Sequence, residues 1–543
     1  MRLVLSLAAA LCAAPLAGAQ DPPAPAPRRL LFVHAGGYLY LNPLTSRAPE
    51  GPDRARDAAE RLAAALHVPT ARDNDQLFVL ADTTATDPHP PTKGALARAL
   101  DGFCATTREQ DRVAIYFGAH AVERDGKAFV VPLDGDPDAP DTLVPVADVY
   151  AKLKELKAAQ KVVIWDVCRS NPDRVRGRRD GGPMSEPLFK ALMSPPDGVE
   201  VLVSCSPGER GLELTVPRGP AALFAGSVYL DALRQAGADD FAKGAPGDAI
   251  PVAAWNKAAG KTVAIVADAV RAKQTSAAAG AAPKHPAAFD PKAPPAKRFA
   301  LLAPPAVAPE VKSVLDELAL PPILDEDPAQ VGYGPLAADA MKKYAPDVTL
   351  DEIAKSADKY PLRVAALRAL QAVRDVWPQG GKEAKVLAPL LAPVTEKTKK
   401  AISDAQLPLA EALLKLENEL DALQTAAPHR EKETKRWQAH YDYTLAEVRL
   451  RLVVLNEYNL LLARVRTETL PDLAPGVPGW RLVSGEKLTS RREIRDLYET
   501  AQAGFTKVAA DYKGTPWEAL AKRSRATAPG LRWVPLPPPK GEK

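Results

Sequence analysis

Cysteine is scarce in this chain of 543 residues: Cys12, Cys104, Cys168 and Cys205 are all there is. If a leader carrying Cys12 is removed, three remain, so a fully paired set within one molecule is excluded. Long apolar runs are also missing. Beyond the first residues no stretch is apolar for long enough to cross a bilayer, so no membrane span is expected. Excess charge of one sign is lacking, with Lys+Arg 71 against Asp+Glu 67, and nothing global argues for a nucleic-acid partner. Asp134-Gly-Asp-Pro-Asp138 lacks the glycine and final glutamate of an EF-hand loop and reads as a turn. Neither a metal site nor a cofactor is expected; calcium dependence stays open, with no recognisable loop to carry it.

The leader itself reads as a processing signal over residues 1–19. Arg2 supplies the positive start, Leu3 to Leu11 the apolar run and Ala17-Gly18-Ala19 the small-residue cleavage site. Cys12 follows Leu11 rather than a small residue, which argues against a lipid anchor. The expectation is an exported protein, periplasmic or secreted.

Apolar content is ordinary at 46%, and the length predicts two to three domains. Proline is plentiful, at 54 residues, and predicts linkers and punctuated helices. From residue 27 to residue 274, short β-branched or aromatic runs alternate with helical patterns. Strands are expected at 30–33, 77–80, 113–117, 161–165 and 201–203, with an extended piece at 129–134. Helices are expected at 52–66, from Thr92, at 149–156 with Asp148 as cap, and at 221–233. This spacing predicts an α/β domain with a mostly parallel sheet covered by helices on both faces.

Residues 275–309, rich in Ala and Pro, read as a linker. Residues 310–543 are expected to be all-α. Pro361 opens an amphipathic helix, and Pro408 marks a start or kink of another. Leu409, Leu413, Leu416, Leu420 and Leu423, then Tyr441, Leu445, Val448, Leu452, Leu455 and Leu462, fall on a three-four register. These predict an antiparallel helical hairpin at about 400–466, with an intermolecular coiled coil as the competing expectation. A helix–turn–helix pair is expected at about 493–524, without an array of repeats. A protein partner or self-association through these helices is the partner expectation for this half.

The chemistry concentrates at Lys161-Val-Val-Ile-Trp-Asp-Val-Cys-Arg-Ser170. A buried parallel strand delivers the residues just after it to the C-terminal edge of the sheet. Cys168 comes after one such strand and His120 after another. A thiol is a useful nucleophile only as thiolate, so it needs a proton acceptor close by. His120 is the histidine placed to serve.

At these residues the sequence resembles the caspase and metacaspase family of cysteine peptidases. Asp166-Val-Cys-Arg-Ser170 is similar to the Asp-Ala-Cys-Arg-Ser of bacterial caspase-like domains, and His120 lies about 50 residues upstream of the cysteine, as the family pattern requires. Phe129-Val-Val-Pro-Leu-Asp134, the helix from Thr92-Lys93, and Ser204-Cys-Ser-Pro-Gly208 resemble flanking segments of the family. The resemblance spans roughly residues 28–275. It implies a caspase-like sheet and a peptide or protein substrate, with Cys168 as nucleophile and His120 as acid/base. It also implies the backbone N–H groups of Ala121 and Cys168 as oxyanion donors, and Asp166 as a pocket acid selecting Arg or Lys before the scissile bond.

The departures favour a second expectation, a catalytically silent caspase-like domain acting as a binding or scaffold module. Gly118-Ala-His-Ala121 stands where the family has Ser-Gly-His-Gly, and Ala121 gives up glycine's access to positive φ. The segment from Ala35 to Leu44 carries no Cys or Asp to line a basic-residue pocket. Arg174-Val-Arg-Gly-Arg-Arg179 comes after the cysteine, where a cleavable loop often sits in the family. Self-cleavage there and a solvated basic loop are its two readings.

Overall fold

The computed structural model describes residues 28–44, 54–70, 75–82, 88–170, 178–179, 181–214, 226–240, 248–304, 306–323, 332, 336, 338–376 and 389–536. The leader, and Arg174 to Gly177 of the basic segment, lie outside them.

Strands β1 (Arg28–His34), β2 (Leu77–Ala81), β3 (Arg112–Gly118), β7 (Gln160–Asp166) and β9 (Glu200–Val203) run parallel in one sheet. With β12 (Ala277–Gly280) its order is β12-β9-β7-β3-β1-β2. The smaller strands between them are β4 (His120–Arg124), β5 (Lys127–Val131), β6 (Val144–Pro145), β8 (Arg169–Ser170), β10 (Gly211–Leu214) and β11 (Gly226–Ser227).

Alternation along each strand feeds two cores, because successive side chains leave a strand on opposite faces. Val113, Ile115 and Phe117 of β3 join Val163 and Trp165 of β7 on one side. There α2 (Lys93–Ala105), α3 (Val146–Glu155) and α4 (Glu186–Leu192) cover the sheet. Ala114 and Tyr116 join Val162 and Ile164 on the other, under α1 (Arg54–Ala65), α5 (Val228–Asp240) and α6 (Val252–Ala269). The domain is α/β with both faces of a mostly parallel sheet covered.

One helix boundary meets expectation and two differ. Thr92 caps α2 through the N–H of Ala95, as its side chain suggests. Asp148, however, sits inside the first turn of α3, which starts at Val146 behind Pro145. The helix expected from residue 221 begins at Val228 and continues to Asp240, and residues 221–225 lie outside the described set.

The stretch read as a linker is docked along the sheet domain. Ala277–Gly280 pairs antiparallel with β9, covering an edge that would otherwise stay open. Farther on, Phe299 stacks on Phe78 with ring centroids 4.3 Å apart. The carbonyls of Ala296 and Lys297 accept hydrogen bonds from Gln76 (3.0 Å) and Arg29 (3.1 Å).

The all-α expectation for residues 310–543 is overturned by strands β13 (Leu390–Leu391), β14 (Gly479–Gly485) and β15 (Gly530–Pro535), which form an antiparallel sheet. The region opens with α7 (Pro309–Glu317) and the short helices α8 (Ala338–Met341) and α9 (Leu350–Lys355). It continues through α10 (Pro361–Val376), α11 (Glu396–Ala426) and α12 (Lys435–Arg466), and closes with α13 (Arg492–Asp511) and α14 (Pro516–Arg525). Pro408 lies within α11 rather than at its start. Helix α12 is antiparallel to α11, yet its buried residues surround the whole helix instead of forming one seam. It is the axis of a bundle. Its interior charges are paired: Glu317 of α7 accepts from Arg436 (2.5 Å) and from His440 Nε2 (2.6 Å), while the Trp517 indole N–H donates to His440 Nδ1 (2.8 Å).

Candidate functional site

Strands β3 and β7 are direct neighbours, with Gly118 opposite Asp166 in register. The N–H of Ala119 donates to the carbonyl of Asp166 just beyond that last pair (3.4 Å). His120 and Cys168 each lie two residues past these paired positions, so both leave the same sheet edge on adjacent strands. Both are buried, at 0% and 1% exposure.

His120 is held by the segment after β1. Its ring Nε2 lies 2.8 Å from the Asn42 carbonyl oxygen, and its backbone N–H donates to the Tyr38 hydroxyl (2.7 Å). The Tyr38 ring packs against the imidazole at 4.7 Å between centroids. A carbonyl can only accept, so this contact places a hydrogen on Nε2, and in the neutral ring the lone pair then falls on Nδ1. Gly181 packs over that second nitrogen: a Cβ there would lie 3.3 Å from Nδ1.

Cys168 has φ of 55°, in the left-handed region that costs an L-residue roughly 1–2 kcal/mol. Its carbonyl accepts from the N–H of Gly211 (3.1 Å), which pins the turn. The thiol is adjacent to Cys205. The hydrogen bond between them, with burial as the next cause, pushes the Cys205 thiol well above its ordinary range. Ala121 is buried in β4 opposite Val130 and is not among the described residues with positive φ. The turn places its conformational strain at the cysteine, and alanine at 121 carries none of it.

Asp166 belongs to a closed polar cluster on the opposite face of the sheet. Tyr116 donates to its Oδ2 (2.6 Å), and Arg169 Nε lies 3.9 Å from the same oxygen. Arg169 also faces Glu213 (3.7 Å) and donates to His34 Nε2 (3.2 Å). Burial works against the Arg169 charge, but Glu213 and then Asp166 outweigh it and raise its pKa. Burial, reinforced by Arg169, lowers His34 to about 3, so its imidazole is neutral. Burial and then Asp166 push the Tyr116 phenol well above its usual range. The cation facing this acid is the chain's own.

No family model and no curated protein matches this sequence.

The site therefore stands on its own residues, and its cover comes from the far end of the chain. Arg178 donates its backbone N–H to the Asn42 side-chain oxygen (2.9 Å), and its carbonyl accepts from the Asn42 amide. It also bridges to Thr527, and Arg179 N–H donates to the Ala526 carbonyl (3.2 Å). Arg178 is 3% exposed, which corrects the solvated reading at that residue, while its neighbour Arg179 is exposed as that reading expects. Helix α14 adds Arg523, which donates to the Tyr38 and Leu39 carbonyls (3.5 and 3.4 Å), and Lys522, which pairs with Asp136 (3.1 Å). Among the described residues no His/Cys/Asp/Glu group could hold a metal ion.

Sequence reasoning missed Asn42, Tyr38, Arg169 and Glu213. Asn42 acts on His120 through its main chain, which leaves no side-chain signal. Glu213 was findable, as a lone acid between Leu212 and Leu214 in an otherwise apolar strand.

Proposed function

We propose that residues 27–274 form an exported caspase-like cysteine endopeptidase in a closed state. The carrying observation is the delivery of Cys168 and His120 from adjacent, in-register strands, with Asn42 directing the imidazole so that Nδ1 keeps its lone pair. In this reading Nδ1 takes the thiol proton and the sulfur attacks the scissile carbonyl. The N–H groups of Cys168 and Ala121 receive the oxyanion, and His120 returns the proton to the leaving amine. Water then attacks the thioester, with His120 as base. Selection of Arg or Lys through Asp166 would require the incoming cation to displace Arg169.

Burial of both residues favours a second reading, a silent scaffold. A panel of peptidyl fluoromethyl ketones, read out by intact mass, separates the two. The peptidase reading expects an adduct on wild type that Cys168→Ala abolishes. No adduct, together with no hydrolysis of any panel peptide, leaves the scaffold.

A further inference from the structure

Between the sheet domain and the C-terminal sheet lies a cleft of about 1400 Å³. Among the described residues eight basic and three acidic side chains line it, with Asp136 held by Lys522 (3.1 Å) and Asp138 by Arg179 (2.5 Å), so the described lining carries an excess of positive charge.

One wall is the β14–β15 ribbon, where the period of two separates the faces. Trp480, Leu482, Leu531 and Trp533 point into a small core. The other face presents Arg481 opposite Val534 and Val483 opposite Arg532, and all four line the cleft. Ribbon faces toward water commonly interleave both charge signs; these two cross-strand pairs hold arginines and valines only. Across the gap, Ser170 and Gly182 flank the candidate cysteine site, and the cleft reaches Asn42, whose carbonyl holds His120.

We propose that this cleft binds an extended acidic peptide segment, carboxylates on Arg481 and Arg532 and alternate apolar side chains on Val483 and Val534. Arginine pairs well with carboxylate, and the two-residue period of an extended chain matches the ribbon. On the ribbon, valines stand between the arginines where a single-stranded nucleic-acid site would place stacking rings; the cleft's tyrosines, Tyr40 and Tyr498, lie off the ribbon. Binding rests on the cleft alone; that the bound segment is the substrate rests on the cysteine-peptidase reading.

The test uses the full chain carrying Cys168→Ala and a fluorescent ten-residue peptide alternating Glu and Val, with anisotropy as the readout. Binding should weaken about tenfold between 50 and 300 mM salt, and a Gln/Val peptide should bind about tenfold more weakly. Arg481→Glu and Arg532→Glu should each weaken binding about tenfold with the melting temperature unchanged. Equal binding of the neutral peptide, unaltered affinity in the double variant, or tighter binding of an oligonucleotide of equal charge would overturn the proposal. Charge-dependent binding without hydrolysis by wild type would refute only the peptidase reading. Hydrolysis indifferent to substrate charge would refute only this one.

Discussion

Replacing Arg169 with methionine tests how the edge beside the cysteine is held together. Arg169 is 2% exposed, and its guanidinium lies 3.7 Å from Glu213 and 3.9 Å from Asp166, both of them buried. At an effective dielectric constant of about 20, each contact carries about 4 kcal/mol of attraction, offset by the burial of all three charges. Methionine preserves much of the volume but takes the cation away from two buried carboxylates. Removal of one partner from such a cluster costs about 3–5 kcal/mol. Urea unfolding at pH 7.5 should show that loss. Adding Asp166→Asn and Glu213→Gln should recover most of the stability at pH 7.5. A deficit below about 1 kcal/mol at pH 7.5, or no recovery in the triple variant, would refute the pairing argument.

Acid should weaken the wild-type fold through its buried imidazoles. His34 is lowered to about 3 chiefly by burial, so the unfolded chain takes a proton below about pH 6.5 that the folded chain refuses. Stability from this group is complete above that pH and falls by about 2 kcal/mol by pH 5; His34→Gln should flatten the slope, and equal slopes would count against it. His440, also lowered by burial, adds to the loss over the same direction of pH. Glu317, where His440 and Arg436 outweigh burial and hold the carboxyl at about 2, adds to it below about pH 4.5. Thiol titration of the native protein with a reagent that is not a substrate mimic should find Cys104 quickly, since it is partly exposed, and Cys168 and Cys205 far more slowly than in the unfolded chain. Rapid native modification of Cys168 would mean that the site stands open.

The sheet was legible because β-branched and aromatic runs mark buried strands. The placement of His120 and Cys168 at one sheet edge was legible because each follows directly on a buried strand, and the adjacency of those strands came only with the structure. What escaped was carried by the main chain or by distant segments. Ala277-Ala-Ala-Gly280 has no strand-like side chains and is held by backbone pairing with β9. Strands β14 and β15 were obscured by their outward arginines and a terminal proline. On α12 the three-four register picked out one stripe, while Arg436, His440, Glu447 and Arg451 are interior as well and read as surface by type. The cover over the cysteine was invisible because Arg523 lies nearly five hundred residues from Tyr38, whose carbonyl it contacts.

The docked stretch after residue 274 changes where this chain can be cut. A fragment ending there would strip β12 from β9, leaving a row of unpaired backbone groups along Val201, Leu202 and Val203. It would also bare Phe78 where Phe299 now lies. Such a piece offers a template for joining sheets edge to edge, and it should come out of solution as aggregates. A fragment carried on through Leu302 keeps both the added strand and the stacked ring, and is the shorter unit expected to stay monomeric.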